Sequence, residues 1–140
     1  MQELNKKPKI LLIDDEANYS ANVKFELSRE EFSLFHAQNG IEAMEVLATN
    51  NIDLIITDTA LHEMDGVFLL SYIIKHWSKI PVIVFFSGIE ERPEVDEKFL
   101  KKMGAKHILT KSGSYKDLVN LIHRLLDRVP VGAIFEYEED

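Results

Sequence analysis

Short apolar runs alternate with longer amphipathic segments along most of the chain, and this alternation predicts five strands, each followed by a helix. The runs expected to form strands are residues 9–13, 32–37, 52–57, 82–86 and 107–109. The run over residues 82–86 is apolar at every position, which is typical of a strand covered on both faces. Alternating strands and helices predict a parallel sheet with helices on both faces.

The segments between the strands carry apolar residues at helical spacing. Helices are expected over residues 17–29, 67–77 and 93–103, and also after Asn39-Gly40 and after Ser114. Pro93 suits the first turn of a helix, and Ser114 with Asp117 three residues later resembles a capping box. The residues expected to face the core are Val23 and Leu27; Ile41, Met44, Val46 and Leu47; Leu69, Leu70, Ile73 and Ile74; and Leu118, Leu121, Ile122 and Leu125.

The length of 140 residues fits one domain, expected over residues 8–128, with an acidic tail over residues 129–140. We expect the tail to be solvated. Docking of Ile134, Phe135 and Tyr137 on the domain or on a partner is the alternative.

The composition excludes several classes of function. The chain has no cysteine, so it has neither a disulfide nor a thiolate metal site. A formal net charge of −8 and the lack of a Lys/Arg run argue against direct nucleic-acid binding. Its apolar runs are far shorter than the roughly 20 residues that cross a bilayer. We therefore expect a cytoplasmic protein without membrane insertion.

Acidic residues follow two of the predicted strands. Asp14 and Asp15 come after the first strand, and Asp58 ends the third. In an open parallel sheet these ends meet at the edge where ligands bind. Like-charged carboxylates about 4 Å apart repel by roughly 4 kcal/mol at an effective dielectric of about 20, and a hard cation such as Mg²⁺ offsets this repulsion. A single acid could equally be a helix cap, but two acidic strand ends favour a metal site.

The ends of the last two strands carry a hydroxyl and an ammonium group, from Ser87 and Lys111. Each alone is more often an ordinary loop residue. Together with an aspartate and Mg²⁺ they are suited to phosphoryl transfer, in which Asp58 attacks phosphorus and the two side chains hold the outer oxygens.

In this arrangement the chain resembles the receiver domain of two-component response regulators over about residues 8–128. The matching features are Asp14-Asp15, Asp58, the spacing from Asp58 to Asp65-Gly66, Ser87, and Gly104-Ala105 with Lys111.

The resemblance implies a flavodoxin-like, doubly wound sheet of five parallel strands in the order 2-1-3-4-5, a (βα)5 fold. It also implies that Asp58 accepts a phosphoryl group from a histidine kinase or a phosphotransfer protein and that the acyl phosphate hydrolyses slowly. The protein would thus be a phosphoacceptor rather than an enzyme with a separate substrate. Asp15, Asp58 and the main-chain carbonyl of Ala60 would bind Mg²⁺ directly, and Asp14 mainly through water.

The resemblance further implies that the face from Pro93 to Asp127 contacts an output partner or a second copy in a homodimer. Some positions depart from the family. Ile108 replaces the usual aromatic residue, and Ser112 and His62 replace prolines. In the family, the positions occupied here by Ala60 and Ile89 lie near the site and tune dephosphorylation. Neither residue has a side chain that could orient a water molecule, so the resemblance implies a long-lived phosphoryl state.

Other functions remain as alternatives. The lost aromatic residue and proline are compatible with a receiver-like interaction module that is not phosphorylated. A phosphatase of the haloacid dehalogenase type would need an Asp-x-Asp pattern where Asp14-Asp15 stand, and a flavodoxin would need a phosphate loop after the first strand. The sequence leaves open whether the chain acts alone or is a domain of a hybrid kinase or larger regulator.

Overall fold

A computed structural model of the chain describes residues 7–58, 66–86, 96–110 and 113–127. Within these ranges five strands alternate with five helices. The strands are β1 (Lys9–Ile13), β2 (Ser33–Ala37), β3 (Leu54–Asp58), β4 (Val82–Phe86) and β5 (His107–Thr110). The helices are α1 (Ala17–Ser28), α2 (Gly40–Thr49), α3 (Gly66–His76), α4 (Glu97–Lys102) and α5 (Tyr115–Leu126).

All the strands pair in parallel, in the order β2-β1-β3-β4-β5. This arrangement confirms the predicted flavodoxin-like fold. β3 lies at the centre of the sheet, and each of its residues is buried. The apolar character of the run that ends in Asp58 therefore reflects cover on both faces of the sheet.

The core residues in the described ranges form one cluster on each face of the sheet. Leu11 and Ile13 of β1 belong to the cluster that packs against α2, α3 and α4. Ile10 and Leu12 belong to the cluster that packs against α1 and α5. Successive side chains of a strand point to opposite faces, so a single strand supplies both clusters.

The prediction for the start of the fourth helix is wrong. α4 begins at Glu97 rather than at Pro93, because the side chain of Asp96 accepts a hydrogen bond of 2.8 Å from the main-chain N–H of Phe99. A residue that caps a helix in this way stands just outside it. Pro93 itself lies outside the described residues.

The prediction that Ile41 faces the core is also wrong. The buried residues of α2 are Gly40, Ala43 and Leu47, which follow one face of the helix. Ile41 is 60% exposed because it lies one position, about 100° of rotation, beyond Gly40. Met44 and Val46 contact the core cluster from partly buried positions.

α5 is held at both ends. The hydroxyl of Ser114 accepts hydrogen bonds from the N–H groups of Lys116 (2.9 Å) and Asp117 (3.3 Å), which confirms Ser114 as the helix cap. Near the other end, Nε2 of the buried His123 lies 2.7 Å from Oε1 of Glu30, in the turn after α1. This contact ties α5 to α1 across 93 residues of sequence.

No helix in the described part of the chain is both long and apolar enough to cross a bilayer.

A pair of substitutions tests this assignment of core and surface. Leu27→Ala should lower the free energy of unfolding by about 2–5 kcal/mol, because Leu27 is fully buried and its removal leaves a cavity. Ile41→Ala should change it by no more than about 0.5 kcal/mol, since that side chain is already in contact with solvent. Urea denaturation of both variants measures the two effects. Similar losses of stability in both would contradict the described packing of α2.

Candidate functional site

The predicted acidic residues lie at the ends of two neighbouring strands. Ile13 of β1 is in register with Thr57 of β3, so Asp14 and Asp58 follow side by side at the next position. Neighbouring strands are about 4.8 Å apart, so the two residues are close along this edge of the sheet. Asp14 is 0% exposed and Asp58 is 2% exposed. Asp15 is partly buried next to them.

Asp14 is fixed by contacts with both sequence-adjacent and distant groups. Its Oδ1 accepts a hydrogen bond of 2.7 Å from the N–H of Glu16. Its own N–H donates to the carbonyl of Ala37 at 3.0 Å, and its carbonyl lies 2.9 Å from Nε2 of His36. The end of β2 therefore orients the residue after β1.

His36 is a neighbour of the site that the sequence did not reveal. It is in register with Leu12 of β1 and reaches the carbonyl of Asp14 from the edge strand β2. Its ring has to donate from Nε2 to that carbonyl, since a carbonyl oxygen can only accept. A single histidine in a short strand gives no signal of this role, because the contact depends on the register of β1 and β2.

Asp58 is held by the centre of the sheet. It is the last residue of β3 and pairs in register with Phe85 of β4. The hydroxyl of Thr57 donates to the carbonyl of Asp58 at 3.2 Å. These contacts fix the main chain of Asp58 at the end of the strand, next to the position of Asp14.

We call Asp14, Asp15 and Asp58 the acidic corner. An open cleft of about 670 Å³ reaches this corner from the side of α1. Its walls include Asp14 and Asp15, then Ser20, Lys24 and Phe25 of α1, and His36 and Gln38 at the end of β2. Asp14 and Asp15 therefore line an open space that a ligand or partner could enter.

The donor atoms suit a hard cation, because carboxylate oxygens are the usual protein ligands of Mg²⁺. Within the described ranges, however, no three His, Cys, Asp or Glu side chains are grouped closely enough to hold a metal ion. Asp14, Asp15 and Asp58 reach one edge of the sheet without forming a closed cage. Further ligands would have to come from elsewhere, and the carbonyl of Ala60, predicted for that role, lies outside the described residues.

Ser87 and Lys111 also lie outside the described residues. The strands that precede these two residues are described: β4 ends at Phe86 and β5 ends at Thr110. Both strands are parallel to β3, so their ends lie at the same edge as Asp58. The assignment of Ser87 and Lys111 to the site stays a prediction.

Ile108, which replaces an aromatic residue, is partly buried on β5. It is in register with Val84 of β4 and packs against the cluster that contacts α2, α3 and α4. The inward packing predicted for this isoleucine is therefore observed. The side chain provides neither a ring nor a hydroxyl near the surface.

The sequence model of the response regulator receiver domain matches residues 10–123. The chain belongs to this family. The match includes the strand ends that carry the acidic residues. It also explains why the sheet order and the positions of Asp14, Asp15 and Asp58 occur together.

Individual relatives agree with this assignment. This receiver is 34% identical over 129 residues to the transcriptional regulatory protein SrrA of Staphylococcus aureus, covering 92% of this chain and 52% of SrrA. The chain thus spans about half the length of the curated relatives it matches. Among solved structures, the receiver domain of the Francisella response regulator 1452 is 26% identical, with a TM-score of 0.76 and coverage of 86% and 98% of the two chains.

A further structural neighbour is the Thermotoga maritima response regulator protein TrrA, solved in complex with Mg²⁺-BeF. It is 24% identical to this receiver, with a TM-score of 0.70 and coverage of 84% of this chain and 98% of that one. At this identity the likeness concerns the fold.

The acidic corner predicts how single carboxylates affect Mg²⁺ binding. Asp14→Asn should weaken Mg²⁺ binding at least about tenfold, because a unit charge a few Å from a divalent ion contributes several kcal/mol even at an effective dielectric of about 20. Isothermal titration calorimetry with MgCl₂ measures the affinity. The matched control is Asp53→Asn, which removes a carboxylate at the opposite end of β3, where Asp53 accepts a hydrogen bond from the N–H of Lys9. Equal affinities in the Asp14→Asn variant and in this control would contradict the site.

Proposed function

We propose that this receiver accepts a phosphoryl group on Asp58, in a Mg²⁺-dependent reaction, from the phosphohistidine of a histidine kinase or phosphotransfer protein. The observation that carries the proposal is the burial of Asp58 at the end of the central strand, where Asp58 and Asp14 directly follow the in-register pair Thr57 and Ile13. Burial of a carboxylate beside a second one is costly unless a cation or hydrogen-bond donors compensate its charge.

The chemistry is a displacement at phosphorus. A carboxylate oxygen of Asp58 forms a bond to phosphorus while the bond from phosphorus to the histidine nitrogen of the donor breaks, and that nitrogen keeps the electron pair. Asp14 and Asp15 would provide the negative charge that holds a cation beside Asp58. Ser87 and Lys111 would hold the outer phosphoryl oxygens by a hydroxyl and an ammonium group. Bound Mg²⁺ supplies charge neutralisation in the transition state.

Two findings support Mg²⁺ as the cation. The ligand atoms available at this edge are oxygens, which suit Mg²⁺ better than a softer metal. In addition, the Thermotoga structural neighbour was solved with Mg²⁺-BeF. The family membership and this neighbour make Mg²⁺ the first ion to test.

We also propose that the signal leaves through the surface. The face from Pro93 to Asp127 would contact an output partner, or a second copy in a homodimer, without direct nucleic-acid contact by this domain. SrrA is a transcriptional regulatory protein, and this chain could act as the receiver of a longer regulator or hybrid kinase. A cytoplasmic location agrees with all of these partners.

A second candidate function is a receiver-like interaction module without phosphorylation. Ile108 favours it, because an inward-packed isoleucine cannot supply the ring that would couple the site to the surface. The two functions differ in whether Asp58 is modified.

Intact mass spectrometry distinguishes them. After incubation with MgCl₂ and acetyl phosphate, the protein should gain one phosphoryl group, roughly 80 Da, as expected for an acyl phosphate. Asp58→Asn should gain nothing because the amide is not a nucleophile for this reaction, whereas Asp53→Asn should gain the full adduct. A protein that binds Mg²⁺ but shows no adduct would favour the interaction module.

The lifetime of the phosphoryl group provides a separate test. Because Ala60 and Ile89 cannot orient a water molecule, the adduct should persist for minutes or longer after the donor is removed. The decay of the phosphorylated mass over time measures this lifetime. Ala60→Asn, which introduces a polar side chain, should shorten it. A half-life of seconds in the unsubstituted protein would contradict the expectation.

A further inference from the structure

The edge of the sheet opposite the acidic corner carries a groove of about 360 Å³. It is bounded by the end of α3 and the turn that follows, by the start of β4, and by the turn that leads into β5. We call it the amino-edge groove, and its lining residues in the described part of the chain are Ile74, residues 78–82 and residues 104–107. None of the acidic residues placed in the candidate functional site contributes to it.

The amino-edge groove combines an apolar floor with positive walls. Ile74, Ile80 and Val82 supply apolar surface, and Lys79 and Lys106 are exposed at its sides. Among the described residues that line it, none is an Asp or a Glu. Such a groove fits a segment that presents apolar side chains next to carboxylates.

The pKa of His107, which lines the groove, reflects the positive charge around it. Its pKa lies below the ordinary histidine value because of partial burial and because of the positive charges of Arg124 and Lys106. The charged groups that act on the imidazole are both cationic: Lys106 from the turn before β5, and Arg124 from α5.

The last turn of α5 lies at the same edge of the sheet as the groove. His123 is in that turn, and its Nε2 lies 2.7 Å from Oε1 of Glu30, in the turn that leads into β2. Because all the strands are parallel, β2 begins at the edge where β4 and β5 also begin. α5 therefore ends, at Leu126, on the edge of the sheet that carries the groove.

The sequence of residues 129–140 is complementary to the groove. Ile134 and Phe135 are apolar, and the residues that follow include Glu136, Glu138, Glu139 and Asp140. The seven residues from Asp127 to Ile134 can span about 23 Å, which exceeds both the spacing of neighbouring strands and the thickness of a packed layer. The segment thus has the length, polarity and charge to reach the groove.

We propose that the acidic tail of this chain, residues 129–140, docks into the amino-edge groove of its own domain. Ile134 and Phe135 cover the apolar floor, and the carboxylates that follow lie beside Lys79 and Lys106. The groove lies at the edge of the sheet opposite to Asp58.

The lysines of α4 are a less suitable target for the tail. Lys101 already pairs with Glu97 at 3.3 Å, and Asp96 stands at the start of the same helix. Acids and bases are mixed on that surface, whereas the described lining of the amino-edge groove is basic and apolar. Lys98 and Lys102 of α4 therefore provide a matched control.

A spin label on the tail tests the proposal, and the absence of cysteine allows a single label in the full chain. A nitroxide on Asp140→Cys should broaden the backbone amide signals of residues 78–80, 82 and 104–107 in the ¹⁵N-labelled protein at about 0.15 M salt. Broadening should disappear in the Lys79→Glu/Lys106→Glu variant, because exposed charge reversals repel the tail without altering the core. It should persist in Lys98→Glu/Lys102→Glu, which makes the same charge change on α4.

Three results would overturn the proposal. The first is the absence of localised broadening. The second is broadening centred on α4 and unaffected by Lys79→Glu/Lys106→Glu. The third is equal broadening in a mixture where the nitroxide and the ¹⁵N label are on different molecules, which would mean that the tail binds a second copy.

The pKa of His107 provides an independent readout. Docked carboxylates favour the protonated imidazole, so Glu136→Gln/Glu138→Gln/Glu139→Gln should lower the pKa of His107 further, as measured by NMR titration of its ring protons. An unchanged pKa of His107 would mean that the tail carboxylates are not beside it, which contradicts docking.

Discussion

Two buried carboxylates at neighbouring strand ends impose the main electrostatic constraint on this edge of the sheet. Asp14 and Asp58 follow an in-register pair of β1 and β3 and are almost entirely removed from solvent. Each carboxylate loses hydration there, and each repels the other. The N–H of Glu16 compensates part of this cost at Asp14. A cation bound at the same edge would compensate more, which links the stability of this corner to its proposed chemistry.

The fold was predictable because strands that are buried on both faces have apolar sequences. A strand covered on both faces is mainly apolar, as β3 and β4 are, and the acidic residue that ends the apolar run in β3 is the functional candidate. The position of Asp58 thus followed from the same pattern as the strand. Local capping was less predictable: Pro93 suggested a helix start, but the side chain of Asp96 sets the observed one.

Contacts between distant parts of the chain were not predictable from one sequence. The contact of His123 with Glu30 and that of His36 with Asp14 each join residues from different elements, and a lone histidine carries no signal of its partner. Ile41 was assigned to the wrong face of α2. The buried face includes the small residues Gly40 and Ala43, and a search for large apolar residues at helical spacing overlooks such positions. Ser87, Lys111 and Ala60 lie outside the described residues, so their roles still rest on the family resemblance.

We expect Asp58, rather than another acid at this edge, to carry the phosphoryl group. Borohydride reduces an acyl phosphate to the alcohol, so a phosphorylated aspartate becomes homoserine and can be located by peptide sequencing in a mass spectrometer. After treatment with acetyl phosphate and Mg²⁺, borohydride should yield homoserine at position 58 and leave the aspartates at positions 14 and 15 unmodified. Homoserine at position 14 or 15, or at none of the three, would contradict this expectation.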